Sequence, residues 1–412
     1  MRRALALLAI AVLGVLVGAG VTLTVQAREG GAAGDGTRAA AREPVDGTDA
    51  ASPDRGDPGD PGAGAEVPAS AGAAPVGAHP PTVLVWTANG LDPALATRVA
   101  GLAEVARSTV VEGDLVTAPA PAAPAGMVLG LDAIAVDPAT YPPFAEPADR
   151  DALRRLEPGD AVVGATSAEL HSWGPGDVVA LTTGATVRVT AVVADASVGA
   201  AELVVPTGGA VAAGIDTDRY VLARPRRTAD ETAAAVRTVA DPARPPRVRV
   251  EGQTPYLRHG DSVLPQSRIK ATFGEFAYVP PTSGRDLVQD PSWVADEIVS
   301  ADVPVLGRVR CHRDLVPALS GALRELADRN LAGLIQSYDG CYNARLVTEG
   351  GSISRHAWGA AIDLNFSGNR TGTTSIQDPR LVEVMGRWGF ASGDGWLVPD
   401  AGHFEYIGPP RP

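Results

Sequence analysis

Lysine is almost missing from this 412-residue sequence: Lys270 is the only one, against many arginines. With abundant alanine and glycine, that bias is typical of GC-rich genomes and says nothing about mechanism. The formal net charge of −13 excludes nucleic acid as a partner and favours simple solubility. The two cysteines are too few for a disulfide framework. Histidine is scarce too, six in all, so a place where two of them meet carboxylates stands out.

Long apolar runs are equally rare, and the obvious one gives the location. Met1-Arg2-Arg3 precedes an uncharged apolar run from Ala4 to Val25. About 20 such residues cross a bilayer, and the run is longer than the usual core of a cleaved signal. Val25-Gln26-Ala27 would also serve as a cleavage site, but an uncleaved anchor over residues 1–27 is the preferred reading. The two arginines then stay cytoplasmic, and everything after Arg28 lies outside the cell membrane, held by a single pass. Residues 28–80 are rich in Gly, Ala, Pro, Asp and Ser without hydrophobic periodicity, so they cannot bury enough apolar surface to fold and read as a disordered linker.

Residues 81–252 read as an accessory α+β domain. TVLVWTA is a strand, DPALATRVAGLAEVA an amphipathic helix and STVVEGDLV a strand; RYVLARP, TADETAAAVRTVA and RVRVEG repeat the order. Two β-α-β units around a β-rich middle suggest a split ferredoxin-like sandwich with an insertion. Inside the insertion, GDVVALTTGATVRVTAVVAD alternates around a Thr-Gly turn, as a hairpin or small barrel does. His171, the histidine of this region, has no metal-like neighbours in sequence and reads as a surface residue.

The chemistry lies in the last sixty residues. SRHAWGAAIDLN (Ser354 to Asn365) is followed, after a loop, by PDAGHFEY (Pro399 to Tyr406). His356, Asp363 and His403 supply two imidazoles and one carboxylate, the three protein ligands of a catalytic zinc with a fourth position for water. Asp400, three residues before His403, is the base such a water needs. AAIDLN reads as a short buried strand; residues seven apart on an unbroken strand face opposite sides, so a turn at Gly359 must bring His356 round. HFEY reads as a second strand, with His403 and Glu405 on one face and Phe404 and Tyr406 in the core. Glu405 is either a partner of a ligating histidine or a solvated strand residue.

SRHAWGAAID matches the S-x-H-x-x-G-x-A-x-D signature of the VanY-type D-alanyl-D-alanine carboxypeptidases, a family that includes L-alanyl-D-glutamate endopeptidases. The resemblance runs from about Gly274 to Tyr406, through GEFAYVP, DPSWV, VPVLGRVRCHRDLVPAL, GCYNAR and QDPRLVEVMGRWGF. It implies a hedgehog/DD-peptidase type of α+β fold for residues 253–412, with Zn2+ on His356, Asp363 and His403. It also implies Asp400 as the catalytic carboxylate, Arg345 as the residue that holds substrate or opposes the developing oxyanion, and Ser354 at the substrate. Many relatives carry Gly-Gly-Trp and a Met before the His-Phe-Glu, where this chain has GDGW and Gly402. The accessory domain, chiefly through SAELHSWGPGDVVAL, resembles the extracytoplasmic core domains of MacB-like permeases, which points to a membrane-protein partner through residues 81–252.

Outside the cell a lone cysteine pair usually bridges. Joining Cys311 to Cys341 closes a loop of about 30 residues, worth roughly 3.5 kcal/mol. The whole reads as a membrane-anchored zinc peptidase acting on the peptidoglycan stem peptide. The competing reading is a wall-facing scaffold in which zinc only braces the fold.

Overall fold

Gly101 stops the first helix sooner than the amphipathic pattern suggests. In the computed structural model, which describes residues 81–88, 90–348 and 351–409, β1 (Val83–Trp86) leads to α1 (Pro93–Ala100). The helix is capped by Asp92, whose side chain accepts from Ala94 N, and closed at Gly101. The residues expected to extend it become the start of β2 (Val105–Pro119), because Val105 onward pairs with a distant strand instead. There follow β3 (Val128–Val136), α2 (Arg150–Arg154), β4 (Asp160–Gly164), α3 (Ala165–His171), β5 (Val178–Ala180), β6 (Thr186–Val193), β7 (Leu203–Pro206), α4 (Ala210–Ala213), β8 (Asp218–Pro225), α5 (Ala229–Val239) and β9 (Arg247–Val250).

These strands form one sheet in the order β5-β6-β4-β7-β3-β2-β8-β1-β9. At one end β9-β1-β8-β2 interleaves the two β-α-β units as antiparallel neighbours, with α1 and α5 packed on one face around Val83, Val85, Leu95, Val99 and Val236. The long β2 bridges the two halves: residues 105–112 pair with β8 and residues 112–119 with β3. The inserted strands then curl around Leu131, Ala133, Val163, Val189 and Leu203, until Thr182 N donates to Thr117 O at 2.8 Å. The β5–β6 hairpin expected from the alternation is present.

The C-terminal part comprises α6 (Gln266–Phe273), β10 (Tyr278–Val279), β11 (Val288–Gln289), α7 (Pro291–Glu297), β12 (Ile298–Val303), β13 (Gly307–His312), α8 (Leu315–Asp328), β14 (Tyr338–Gly340), β15 (Ala361–Leu364), α9 (Pro379–Arg387), β16 (Phe390–Gly393) and β17 (Asp400–Tyr406). β12 and β13 make a hairpin, while β14-β15-β17-β16 form a four-stranded antiparallel sheet. Leu319, Leu323, Leu381 and Val384 of α8 and α9 share one core with Ile362, Leu364 and Phe404 of that sheet. Cys311 at the end of β13 is disulfide-bonded to Cys341, just after β14.

The two parts meet at α6, where Gln266 Nε2 and Lys270 Nζ donate to Gly130 O at 3.0 and 2.6 Å, and at Tyr278, which pairs with Val128. The chain is thus a mixed α+β protein with large sheets. The expected anchor (1–27) and linker (28–80) lie outside the described residues, among which no helix is long and apolar enough to cross a membrane.

Candidate metal centre

Three chain segments deliver the expected ligands to one point. Asp363 on β15 stands directly opposite His403 on β17, so both side chains share a face of the sheet. The other face carries Ile362 and Phe404, which are fully buried in the core. His356 arrives on a single 3₁₀ turn, Arg355–Trp358, ended by Gly359 at φ 62°. A side chain at Gly359 would meet His312 N at 2.6 Å, so glycine answers both the left-handed backbone and the close approach. That turn brings His356 round, as the spacing required.

His356 Nε2, His403 Nδ1 and Asp363 Oδ1 form a near-equilateral triangle with sides of 3.1, 3.1 and 3.2 Å. Tetrahedral ligands about 2.05 Å from a zinc lie about 3.3 Å apart, so the donors fit a common ion. His356 Nδ1 is 2.6 Å from Cys341 O, which can only accept; the proton therefore sits on Nδ1 and the Nε2 lone pair faces the triangle. His403 turns its other nitrogen toward Glu405 Oε1 at 3.6 Å. Glu405 is buried, not solvated, and accepts from Ser262 Oγ at 2.7 Å and Val263 N at 3.1 Å.

The electrostatics suit a cation. Burial alone raises the Asp363 carboxyl, but the two imidazoles outweigh it and hold it well below the usual carboxylate range. Burial lowers His403, yet Asp363 and Glu405 push it up to about 9. Glu405 is brought down to about 2, its own burial being overcome by His403, Arg355 and Ser262. In each case the charged form is stabilised by an opposite charge beside it, imidazole against carboxylate.

Asp400 opens β17 and is half-buried; burial raises its carboxyl above the ordinary value. Its Oδ1 is buried and has no hydrogen-bond partner among the described residues. Arg345 is clamped by its backbone, Ser354 N donating to Arg345 O at 3.0 Å and Asp286 bridging from the other side. Its half-buried guanidinium is depressed by burial and by Arg285, and it feels the charges of Asp363 and Asp400. Ser354, expected at the substrate, is buried; its Oγ accepts from His356 N at 3.3 Å and caps the 3₁₀ turn. It fixes the backbone of His356.

Sequence reasoning missed two neighbours. Trp396 sets its ring 5.3 Å from that of His403, and Cys341 lends a main-chain carbonyl. Neither leaves a mark in sequence beyond the Trp of GDGW.

The reading of His171 is corrected. Its side chain is buried, with ring nitrogens 3.8 Å from Glu202 and 3.5 Å from Glu275. The reason is tertiary: α3 packs on α6, bringing together residues far apart in the chain. Lys270 Nζ fills the middle of this cluster, 2.6 Å from Glu202 Oε1 and 2.7 Å from Glu275 Oε1.

Residues 348–406 match the family model described as D-alanyl-D-alanine carboxypeptidase, a span that holds His356, Asp363, Asp400 and His403 but not Arg345. No curated protein matches the chain. Among solved structures, one similar chain is the extracellular domain of the noncanonic ABC-type transporter YknZ from Gram-positive bacteria. It is 14% identical, with 41% of this chain and 98% of that one covered and a TM-score of 0.29. Another is a domain of a putative permease protein from Porphyromonas gingivalis, 14% identical over 45% of this chain and 93% of that one, with a TM-score of 0.26.

Proposed function

We propose that this chain is a zinc metallopeptidase that hydrolyses peptidoglycan stem peptides, at the D-Ala-D-Ala end or at a related bond. The carrying observation is the convergence of His356 Nε2, Asp363 Oδ1 and His403 Nδ1 within a segment that matches the carboxypeptidase family. Zinc held there supplies Lewis acidity toward a scissile carbonyl and lowers the pKa of water. Asp400, with its unpartnered Oδ1, accepts the proton of the attacking water and passes it to the leaving amine. Arg345 opposes the charge that builds on the carbonyl oxygen. Glu405 holds His403 in the orientation that presents Nδ1. In this proposal residues 253–412 form a hedgehog/DD-peptidase-type domain outside the cell, tethered by residues 1–80, and residues 81–252 serve as a module that engages a membrane protein.

The test is Asp400→Asn, which keeps size and hydrogen bonding but cannot take a proton. Turnover of a stem peptide should fall on the order of a hundred- to ten-thousand-fold, while zinc stays at one per chain by elemental analysis. An Asp400→Asn protein as fast as the parent would remove Asp400 from the mechanism. Zinc-loaded parent that cuts no stem peptide would leave a scaffold with a structural ion.

A further inference from the structure

The metal centre does not stand on the C-terminal part alone. One of its walls is built from the segment that arrives from the N-terminal sheet. Arg249 on the edge strand β9 donates to Arg258 O at 2.6 Å and Gly260 O at 3.1 Å, fixing residues 258–260 against the sheet. Asp261 follows, with Oδ1 3.7 Å from Arg249 and 3.6 Å from Arg247. Its Oδ2 accepts from Leu397 N at 2.6 Å. Leu397 packs its side chain on the sheet's own core, which includes Trp86, Tyr141 and Tyr220, while the preceding Trp396 lies against His403. The next two residues, Ser262 and Val263, donate the hydrogen bonds that hold Glu405 beside His403. Two short paths therefore lead from β9 to one ligand: Arg249–Asp261–Leu397–Trp396 to the ring face, and Ser262–Glu405 to its Nε2 edge.

We infer that Asp261 and Ser262 are positioning residues for His403, and that the N-terminal sheet sets the metal affinity of the centre through them. The inference rests on the zinc reading above. Neither residue touches the ion or the substrate. Ser262 holds Glu405 in place to orient the imidazole, and Asp261 holds the backbone of Leu397, next to the Trp396 whose ring lies 5.3 Å from the imidazole. A group that bonds a ligand directly changes metal affinity by about 10 to 100-fold when removed, and residues further out along a connected network transmit a smaller effect, roughly two- to thirtyfold.

The experiment measures zinc affinity of the full chain by competition with a chromogenic chelator, with no substrate involved. Ser262→Ala and Asp261→Ala should each weaken binding about threefold to thirtyfold. Ser262→Thr, which keeps the hydroxyl at this half-buried position, should restore it, and so separates lost orientation from lost folding. Arg249→Ala, on the sheet itself, should weaken binding at least about twofold, and adding it to Asp261→Ala should cost little more than Asp261→Ala alone, because the two act in series. Arg308→Ala, an exposed residue of the β12–β13 hairpin paired with Asp302, should change nothing. Ser262→Ala and Asp261→Ala both binding as tightly as a zinc-loaded parent would overturn the inference while leaving the metal centre intact. A parent that binds no zinc would overturn the metal reading and this inference together.

Discussion

Among the described residues, two groups of histidine and carboxylate lie close enough to hold a metal, and only one is a metal centre in our proposal. His356, Asp363 and His403 bring ligand atoms within 4.8 Å of one another, and so do His171, Glu202 and Glu275. The difference is what already stands between them. In the second cluster the Lys270 ammonium bridges both carboxylates at 2.6 and 2.7 Å. Burial disfavours that ammonium, but Glu202 and Glu275 outweigh burial and raise its pKa. In the first cluster no lysine or arginine among the described residues enters the triangle, and the Asp363 charge is met by the imidazoles themselves. Ligand types in proximity do not define a site; whether a fixed ammonium already stands at their focus separates the two clusters.

The largest expected effect would break this comparison outright. His356→Ala, Asp363→Ala or His403→Ala should take zinc from one per chain to none and hydrolysis to background, whereas His171→Ala should leave zinc at one. Elemental analysis of the purified variants decides it, and stoichiometric zinc in a His356→Ala, His403→Ala double variant would reverse the assignment.

Lys270→Met sharpens the other side. Methionine fills similar space but leaves two carboxylates facing each other in a buried junction, and breaking such a pair costs about 3–5 kcal/mol. Urea unfolding should show a loss of that size. A Lys270→Met protein as stable as the parent would mean that the ammonium is not what these carboxylates require.

A smaller effect separates the clusters by pH. Glu202 is lowered from 4.5 to about 2, with Lys270, His171 and Asp132 N overcoming its burial. A depressed carboxylate stabilises the fold fully above its unfolded pKa, and this stabilisation fades as pH falls from about 4.5 toward 2. Without the ammonium the depression is lost. The Lys270→Met variant should therefore lose less stability than the parent over that window. Melting temperatures in chelator at pH 2–5, parent against variant, isolate the difference; parallel curves would refute it.

What could be read in advance follows from the range of the interactions. The ligand triangle was legible because two motifs, each short, place their donors by local geometry: a glycine turn before Asp363 and strand alternation around His403. The interleaved β-α-β units were legible from periodicity, and the Cys311–Cys341 pairing from there being no other cysteine. The curl of the sheet, the burial of His171 and the support of His403 by Asp261 and Ser262 were not. They depend on residues from about thirty to more than one hundred positions apart or on main-chain atoms, and neither leaves a periodic trace. The end of α1 was misjudged because Val105 satisfies a helical pattern and a strand equally well, and pairing with β8 decides between them. Ser354 drew attention through the serine that opens the signature; its cap on the turn, with Oγ accepting from His356 N, has no mark of its own in the sequence.

Lys270 also has a chemical consequence. It is the sole lysine of the sequence, and its side chain is 2% exposed. The folded protein therefore offers amine-reactive reagents no side chain to attack, and cross-linkers that bridge lysines will not register its partners. The same seclusion makes the amine a single-site reporter: its acylation requires α6 to lift from β3. The rate at which one acyl group appears on Lys270 would read out how often the two parts of the molecule come apart.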